Sequence, residues 1–382
     1  MMLLTTSVCV REMKAQMGYG FERLCENDFR APFSVDKDDE YYPDLRRRLT
    51  RFVKAVEGSG FGKDTVKAAK KYADKVCESL RDYYRGNVAT SHQRVENLVR
   101  GLVSNDMALS PVGGDVVFPA GGGTSEIQLF RARAEPEART YAPNEMLHLP
   151  FCLRQKAKGY RFSIPGVTSL YLSNTSYGCW IELGRPPEHD FNVSPVILEG
   201  TQRVFNLAVM TRDLRILRSL NEERLRPWIK LLVLMIATSY RVGEANRSFK
   251  SEYIVSQSIM IACKKLGHDG VAYFSKRVSD EAFARAAINL ALFADWRAGR
   301  DYGPICEHLK VDESTNYQMY HQLHLSPESE YALRVDGTQY ITNVGKYRRQ
   351  FDYRDTEFHR FDQFLFETWD DKDALPWGNA LG

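Results

Sequence analysis

Several signals that usually announce a function are missing from this chain. It has no C-x-x-C pair, no internal repeat, no low-complexity tract and no apolar run longer than LLVLMIA at residues 231–237. A membrane-spanning helix needs roughly 20 apolar residues, so no membrane partner is expected. The seven cysteines (Cys9, Cys25, Cys77, Cys152, Cys179, Cys263 and Cys306) are scattered and odd in number. That usage argues against a disulfide scaffold and a zinc site, and fits a reducing cytoplasm. The opening MMLLTTSVCV has no basic region and only a short apolar run, so no secretory leader is expected. His321 and His324 lie in HQLH with no third ligand close in sequence, so they are read as structural or exposed and no metal is expected. Charge is nearly balanced, with 52 Lys and Arg against 49 Asp and Glu. Broad, charge-driven nucleic-acid binding is therefore not expected.

At 382 residues the chain is long enough for two domains. From Pro43 the pattern is helical: Leu45, Leu49, Phe52 and Val53 recur at helical spacing. The neighbouring Arg46, Arg47 and Arg48 read as a solvated face. GSGFGKD at residues 58–64 resembles a phosphate-binding loop at a glance, but its spacing is short and Asp64 stands where Ser or Thr would hold magnesium. It reads as a helix–helix connection with Asp64 as N-cap. The next helix is expected over residues 65–84, with Val66, Ala69, Ala73, Val76, Leu80 and Tyr84 as its stripe. Another follows Ser91, turning Val95, Leu98, Val99 and Leu102 inward. Together these predict a small helical bundle. Arg85 and His92 are spaced as in the Arg-x(4–6)-His motif of HEPN ribonucleases, where the pair would act as cation and acid–base. Gly86, Thr90 and Ser91 point instead to a loop and a cap.

Residues 106–125 are crowded with Gly and Pro and break the helical period, which predicts a linker. Beyond it, residues 127–133 alternate as a strand, placing Ile127, Leu129, Arg131 and Arg133 on one face. An inward Arg is costly to bury without an anion, which makes Arg131 or Arg133 a candidate ligand group. Further strands are expected at 203–209, 271–274 and 288–293, with buried helices at 226–240 and 249–265. The expected fold class is α+β, a helical N-terminal bundle followed by a mixed α/β domain. The expected division is 1–105 helical, 106–125 linker, 126–310 catalytic and 311–382 a C-terminal extension. That extension should hold an Asp336-Gly337 hairpin over 332–341 and an aromatic helix.

The chemistry concentrates in residues 148–183, HLPFCLRQKAKGYRFSIPGVTSLYLSNTSYGCWIEL. Arg161 is a fixed cation. Pro165 and Gly166 make a turn. Tyr171 lies in a short strand that ends at Ser173, Asn174 and Thr175, and Glu182 follows on an apolar helical run. Taken singly, Tyr171 reads as core, Glu182 as an exposed helix position and Ser275 as a strand-end residue.

The ordered series Arg131 in LFRAR, Arg161 in YRFSIPG, Tyr171 in SLYLS, Glu182 in CWIEL and Ser275 in DGVAYFSKR resembles the RES-domain family. Those bacterial proteins are known as NAD-degrading toxins with an ADP-ribosyltransferase-like fold, and long members carry a HEPN-like helical N-terminal domain. The resemblance covers about residues 127–309 and does not extend to the C-terminal extension. It implies cleavage of the nicotinamide–ribose bond by glycohydrolysis or phosphorolysis, with NAD+ as substrate and no cofactor. Protein ADP-ribosylation is the lesser expectation. The implied site is Glu182, Arg161, Tyr171 and Ser275 as catalytic residues, with Arg131, Arg161, Tyr171 and Ser275 holding NAD. Such cleavage passes through an oxocarbenium-like state, which a fixed carboxylate stabilises, while guanidinium forks suit the diphosphate. The implied partners are an antitoxin or activating protein and a second copy of the chain. The rivals are a ribonuclease built on Arg85 and His92, and a non-catalytic interaction protein on the same fold.

Overall fold

The structure, a computed structural model, describes residues 22–25, 27–103, 109–111, 126–136, 139–200, 202–211, 221–244, 246–278, 281–324 and 353–369. The expected hairpin at 332–341 and most of the expected linker lie outside the described residues. Helices come first and a mixed sheet follows, as the fold class required. No helix among the described residues is long and apolar enough to cross a membrane.

The chain divides into two compact units, and these cut across the expected boundaries at 105 and 126. The first comprises Met1–Ser110, Lys158–Ile164 and Arg203–Val271, the second Pro111–Ala157, Pro165–Gln202 and Ala272–Gly382. The cause is visible in the helices. In the first unit α1 (Tyr41–Glu57), α2 (Lys63–Tyr84) and α3 (Val88–Val103) bury one stripe each. The next helices in sequence are α4 (Ser176–Glu182), in the second unit, and then α5 (Glu222–Ala237) and α6 (Ile254–Lys265). Every residue of α5 from 231 to 237 is buried, so this helix needs neighbours on several sides. It packs against α2, with α1 and α3 beside it, while α6 packs against α3. The buried helices thus join the N-terminal bundle and not the sheet they follow in sequence.

Local chemistry corrects two expected helix starts. The helix after Gly62 begins at Lys63, and Gly62, not Asp64, is its N-cap. The cap's amide is met from a distant element: the Glu222 carboxylate accepts from Gly62 N–H at 3.0 and 3.1 Å and from the Thr65 hydroxyl at 2.5 Å. Glu222→Ala is therefore expected to cost about 1–2 kcal/mol in urea unfolding, the range of a lost cap. Helix α3 starts at Val88, so Ser91 lies inside it, buried, with its Oγ 2.9 Å from Ser79 Oγ. The turn runs over Arg85, Gly86 and Asn87, with Gly86 taking the positive φ of +82°. Of the arginine run, Arg46 and Arg47 are exposed as expected, but Arg48 is half-buried, reaching Asp44 at 3.1 Å and the Asp28 carbonyl at 2.6 Å.

In the first unit β1 (Leu109–Pro111) neighbours β5 (Arg203–Asn206). In the second, the strands run in the order β6-β7-β3-β2-β4-β8, and β9 also pairs with β4. These are β2 (Glu126–Ala134), β3 (Ser169–Ser173), β4 (Phe191–Glu199), β6 (Gly270–Phe274), β7 (Ile288–Phe293), β8 (Leu309–Val311) and β9 (Thr315–Asn316). β2 and β4 pair antiparallel along their whole length, and β3 pairs antiparallel with both β2 and β7. Helices α7 (Tyr317–His324) and α8 (Glu357–Glu367) complete this unit. With α4 they cover one face of the sheet through Phe130, Ala132, Phe191 and Val193.

Candidate active site

The turn from β3 into α4 is pinned on both sides. Asn174 donates from Nδ2 to the Arg285 carbonyl at 2.7 Å and accepts from Ile288 N–H at 2.9 Å. Thr175 is the N-cap of α4, its Oγ1 accepting from Gly178 N–H at 2.9 Å and donating to the Ala286 carbonyl. Gly178 lets α4 lie on the sheet: a Cβ there would run into Ser173 Oγ and come within 3.2 Å of Ala287 Cα. Gly178→Ala is expected to lower stability by about 1–3 kcal/mol, the range for overpacking, measurable as a lower denaturation midpoint.

Register decides which side chains meet. Phe130 opposes Ser173, Ser173 opposes Asn289, and Tyr171 opposes Ala291. Opposed residues and alternate residues share a face, so Phe130, Ala132, Tyr171, Ser173, Asn289 and Ala291 line the face on which α4 lies. Tyr171 is half-buried there, while Leu170 and Leu172 turn into the opposite core. Glu182, the last residue of α4, is half-buried, and its Oε1 accepts from Asn289 Nδ2 at 2.7 Å. The carboxylate is thus tied to the face that presents Tyr171.

The other expected residues sit as follows. Ser275 is buried just past β6; its N–H donates to the Ala287 carbonyl at 2.8 Å and its Oγ accepts from Arg277 N–H at 3.2 Å. This turn reaches the end of α4, since Arg277 Nη1 lies 3.3 Å from where a Cβ on Gly184 would sit. Arg131 alternates with Phe130 and so starts on the opposite face, its Nη1 donating to the Tyr171 carbonyl at 2.7 Å. It shares that face with Arg133, which lies 3.9 Å from the Glu135 carboxylate. Arg161 belongs to the first unit, where Nη1 and Nη2 donate to the Thr238 and Tyr240 carbonyls at 2.6 and 2.7 Å. Thr238 caps the C-terminal end of α5, the negative end of that helix dipole.

Burial pushes the Cys179 thiol far up, which leaves no thiolate nucleophile on α4. His148 is buried and neutral: burial lowers it, its Nε2 accepts from Gly303 N–H at 2.9 Å, and Nδ1 therefore carries the proton given to the Leu149 carbonyl. Of the rival pair, Arg85 is exposed at the C-cap of α2, and His92 bonds Ser258 Oγ at 2.7 Å with its basicity lowered by burial. His321 is buried against Glu188 at 3.0 Å, and His324 stacks on Tyr320. No group of three or more His, Cys, Asp or Glu among the described residues is placed to hold a metal ion.

With that geometry in view, the likeness to known proteins is narrow. No family model matches the chain. It is similar to a curated protein of Bacillus subtilis (strain 168) named "Putative toxin YopC". The two are 26% identical over 253 residues, covering 62% of this chain and 56% of that protein. The match therefore spans just over half of that relative's length. Among solved structures, the M. tuberculosis MbcT-MbcA toxin-antitoxin complex aligns at 13% identity, over 60% of this chain and 100% of that one, with a TM-score of 0.30. A superposition that loose carries no argument.

Reading residues one at a time missed Asn289, Arg277 and Asp362. Asn289 had a signal, being the one polar residue in INLALF. A polar side chain in an otherwise apolar strand needs a partner, and here the partner is Glu182.

Proposed function

We propose that this chain is a toxin that cleaves the nicotinamide–ribose bond of NAD+, with a RES-type catalytic unit. The observation that carries the reading is the Glu182 carboxylate held by Asn289 on the face that also presents Tyr171. The ordered series of motif residues and the similarity to a protein named as a toxin support it.

The proposed chemistry needs few parts. The C1′–N bond breaks, its electron pair goes to the nicotinamide nitrogen, and nicotinamide leaves neutral, so no strong general acid is required. Positive charge grows on the ribose. Glu182 stabilises it and bonds ribose hydroxyls, at a carboxylate that Asn289 has already oriented. Tyr171 stands beside the ribose, between the small side chains of Ala132 and Ala291. Ser275 binds a ribose hydroxyl or orients the acceptor. Arg131 is the proposed cation for the diphosphate on the motif series alone, since its side chain starts on the face opposite Glu182 and Tyr171 and donates to the Tyr171 carbonyl. Arg161 is assigned to the scaffold of the first unit, because its fork closes the end of α5. Water or phosphate completes the reaction and loses its proton to solvent. NAD+ is the substrate and no cofactor takes part. A cytoplasmic enzyme that depletes NAD+ must be restrained, and the proposed partner is an antitoxin or an activating protein, with self-association as a further means of control.

The test is nicotinamide release by the purified chain, wild type beside Glu182→Ala, with and without phosphate. Release that the substitution abolishes is the expected result, and phosphate dependence separates phosphorylase from hydrolase. Toxicity lost in His92→Ala and kept in Glu182→Ala would transfer the assignment to a ribonuclease.

A further inference from the structure

Helix α8 has four buried positions, Phe358, Phe361, Asp362 and Leu365, and one of the four is an acid. The three apolar members pack with Tyr177, Cys179 and Ile181 of α4 and with Tyr317 and Tyr320 of α7. Asp362 makes a different kind of contact. Its Oδ1 accepts from Ser176 N–H at 3.0 Å and its Oδ2 from the Tyr353 hydroxyl at 2.6 Å. Ser176 opens α4 and Glu182 ends it.

A helix of this length does not hold itself; isolated helices shorter than about 12 residues are marginal in water. α4 is held from outside at both ends, by Asp362 at its first amide and by Asn289 at its last side chain. Between those ends Gly178 leaves no slack against Ser173 and Ala287. A shift of the first turn therefore has nowhere to go but along the helix, to Glu182. A buried carboxylate is also a costly way to satisfy one amide, since desolvation disfavours its charged form. Its carboxyl is raised to about 7 by burial, with the Ser176 and Tyr353 hydrogen bonds pulling the other way.

We infer that Asp362 is a positioning residue: from the C-terminal extension it fixes the start of α4 and so places the Glu182 carboxylate. This rests on the NAD+-cleaving reading for its catalytic half, and the experiment separates the two. Hydrogen exchange of the peptide covering 174–184 is measured in wild type and Asp362→Ala, together with kcat and KM for nicotinamide release. Exchange in that peptide is expected to rise about tenfold or more, with the peptides of α2 and α3 unchanged, a local opening and not a global one. Turnover is expected to fall about tenfold with KM within about twofold, the pattern of a contact that matters in the transition state. Asp362→Asn, which keeps the acceptor for Ser176, should stay within about threefold of wild type. The double variant Glu182→Ala/Asp362→Ala should be no slower than Glu182→Ala, because a residue acting through another is non-additive with it. If Asp362→Ala does not fold, Tyr353→Phe takes its place, with the same direction and a smaller rise in exchange. Unchanged exchange in 174–184 overturns the anchoring. Raised exchange with unchanged turnover, or effects that multiply in the double variant, overturns the positioning of Glu182. Absence of release by wild type overturns the cleavage reading and the catalytic half with it, while the exchange data still decide the anchoring.

Discussion

Glu182→Gln is expected to lower kcat for nicotinamide release about a hundred- to a thousandfold, with KM for NAD+ changed by less than about threefold. The effect is large because the substitution removes charge and nothing else. Gln keeps the length of the side chain and an oxygen that accepts from Asn289 Nδ2, so the contact across the end of α4 survives. What disappears is the negative charge opposite a ribose on which positive charge develops only in the transition state. Interactions of that kind act on kcat and leave ground-state binding alone. Asn289→Ala makes the complementary case. It leaves the charge but frees the carboxylate to rotate, so a smaller loss of about tenfold is expected. Steady-state kinetics on both variants, beside melting curves that show them folded, check the pair. A Glu182→Gln protein that turns over at the wild-type rate would remove the carboxylate from the mechanism.

How much of this was legible in the residues depended on the range of the interaction involved. Helical stripes and short strands are local, and Leu45, Leu49 and Phe52, or Leu170 and Leu172, lie buried where periodicity put them. The membership of α5 and α6 in the first unit was not legible, because burial on all sides says that a helix needs neighbours and not which ones. Gly62 as a cap was hidden for the same reason, since the carboxylate that meets its amide comes from Glu222, 160 residues away. At the candidate site Tyr171 and Glu182 emerged from one contiguous stretch; strand register puts Tyr171 and Asn289 on one face, and the Asn289 hydrogen bond ties Glu182 to it. Arg131 and Arg161 show the limit of reading residue type alone. A buried arginine needs an acceptor, but a backbone carbonyl serves as well as a phosphate, and carbonyls are what both guanidinium groups meet here. Asp362 was visible as a flaw in a pattern, an acid on the apolar stripe of FHRFDQFL. Its meaning needed the packing, because Ser176 is 186 residues away.

That same acid sets the largest expected effect on stability, and its direction with pH is opposite to the usual carboxylate. Asp362→Asn is expected to gain stability over wild type as pH rises from about 4 to 7. The folded carboxyl is raised from its usual 3.8 to about 7, by burial first of all. The groups around it are Ser176 and Cys179 from α4, Tyr317 and Tyr320 from α7, and Tyr353, none of them cationic. The native state therefore binds this proton more tightly than the unfolded chain does. Stability from the site is complete below the unfolded value and is lost as pH rises through the folded one. At 1.4 kcal/mol per tenfold change, the cost when Asp362 is ionised is about 4 kcal/mol as an upper bound. Other groups run the other way. Glu96, held below its usual range by Lys265 and Arg100, and neutral His148, which acid would charge, both make the protein less stable as pH falls. The raw stability curve mixes these signs, so the measurement is the difference between wild type and Asp362→Asn in denaturant midpoints across pH 4 to 8. Asn is uncharged at every pH and keeps an acceptor for Ser176 N–H, while its amide nitrogen would donate to the Tyr353 oxygen in place of the hydroxyl's bond to Oδ2. The difference should grow between pH 4 and 7 and level off above it. A difference that stays flat over that interval would mean that Asp362 is ionised in the native state without cost, and that the Ser176 and Tyr353 hydrogen bonds fully replace its hydration.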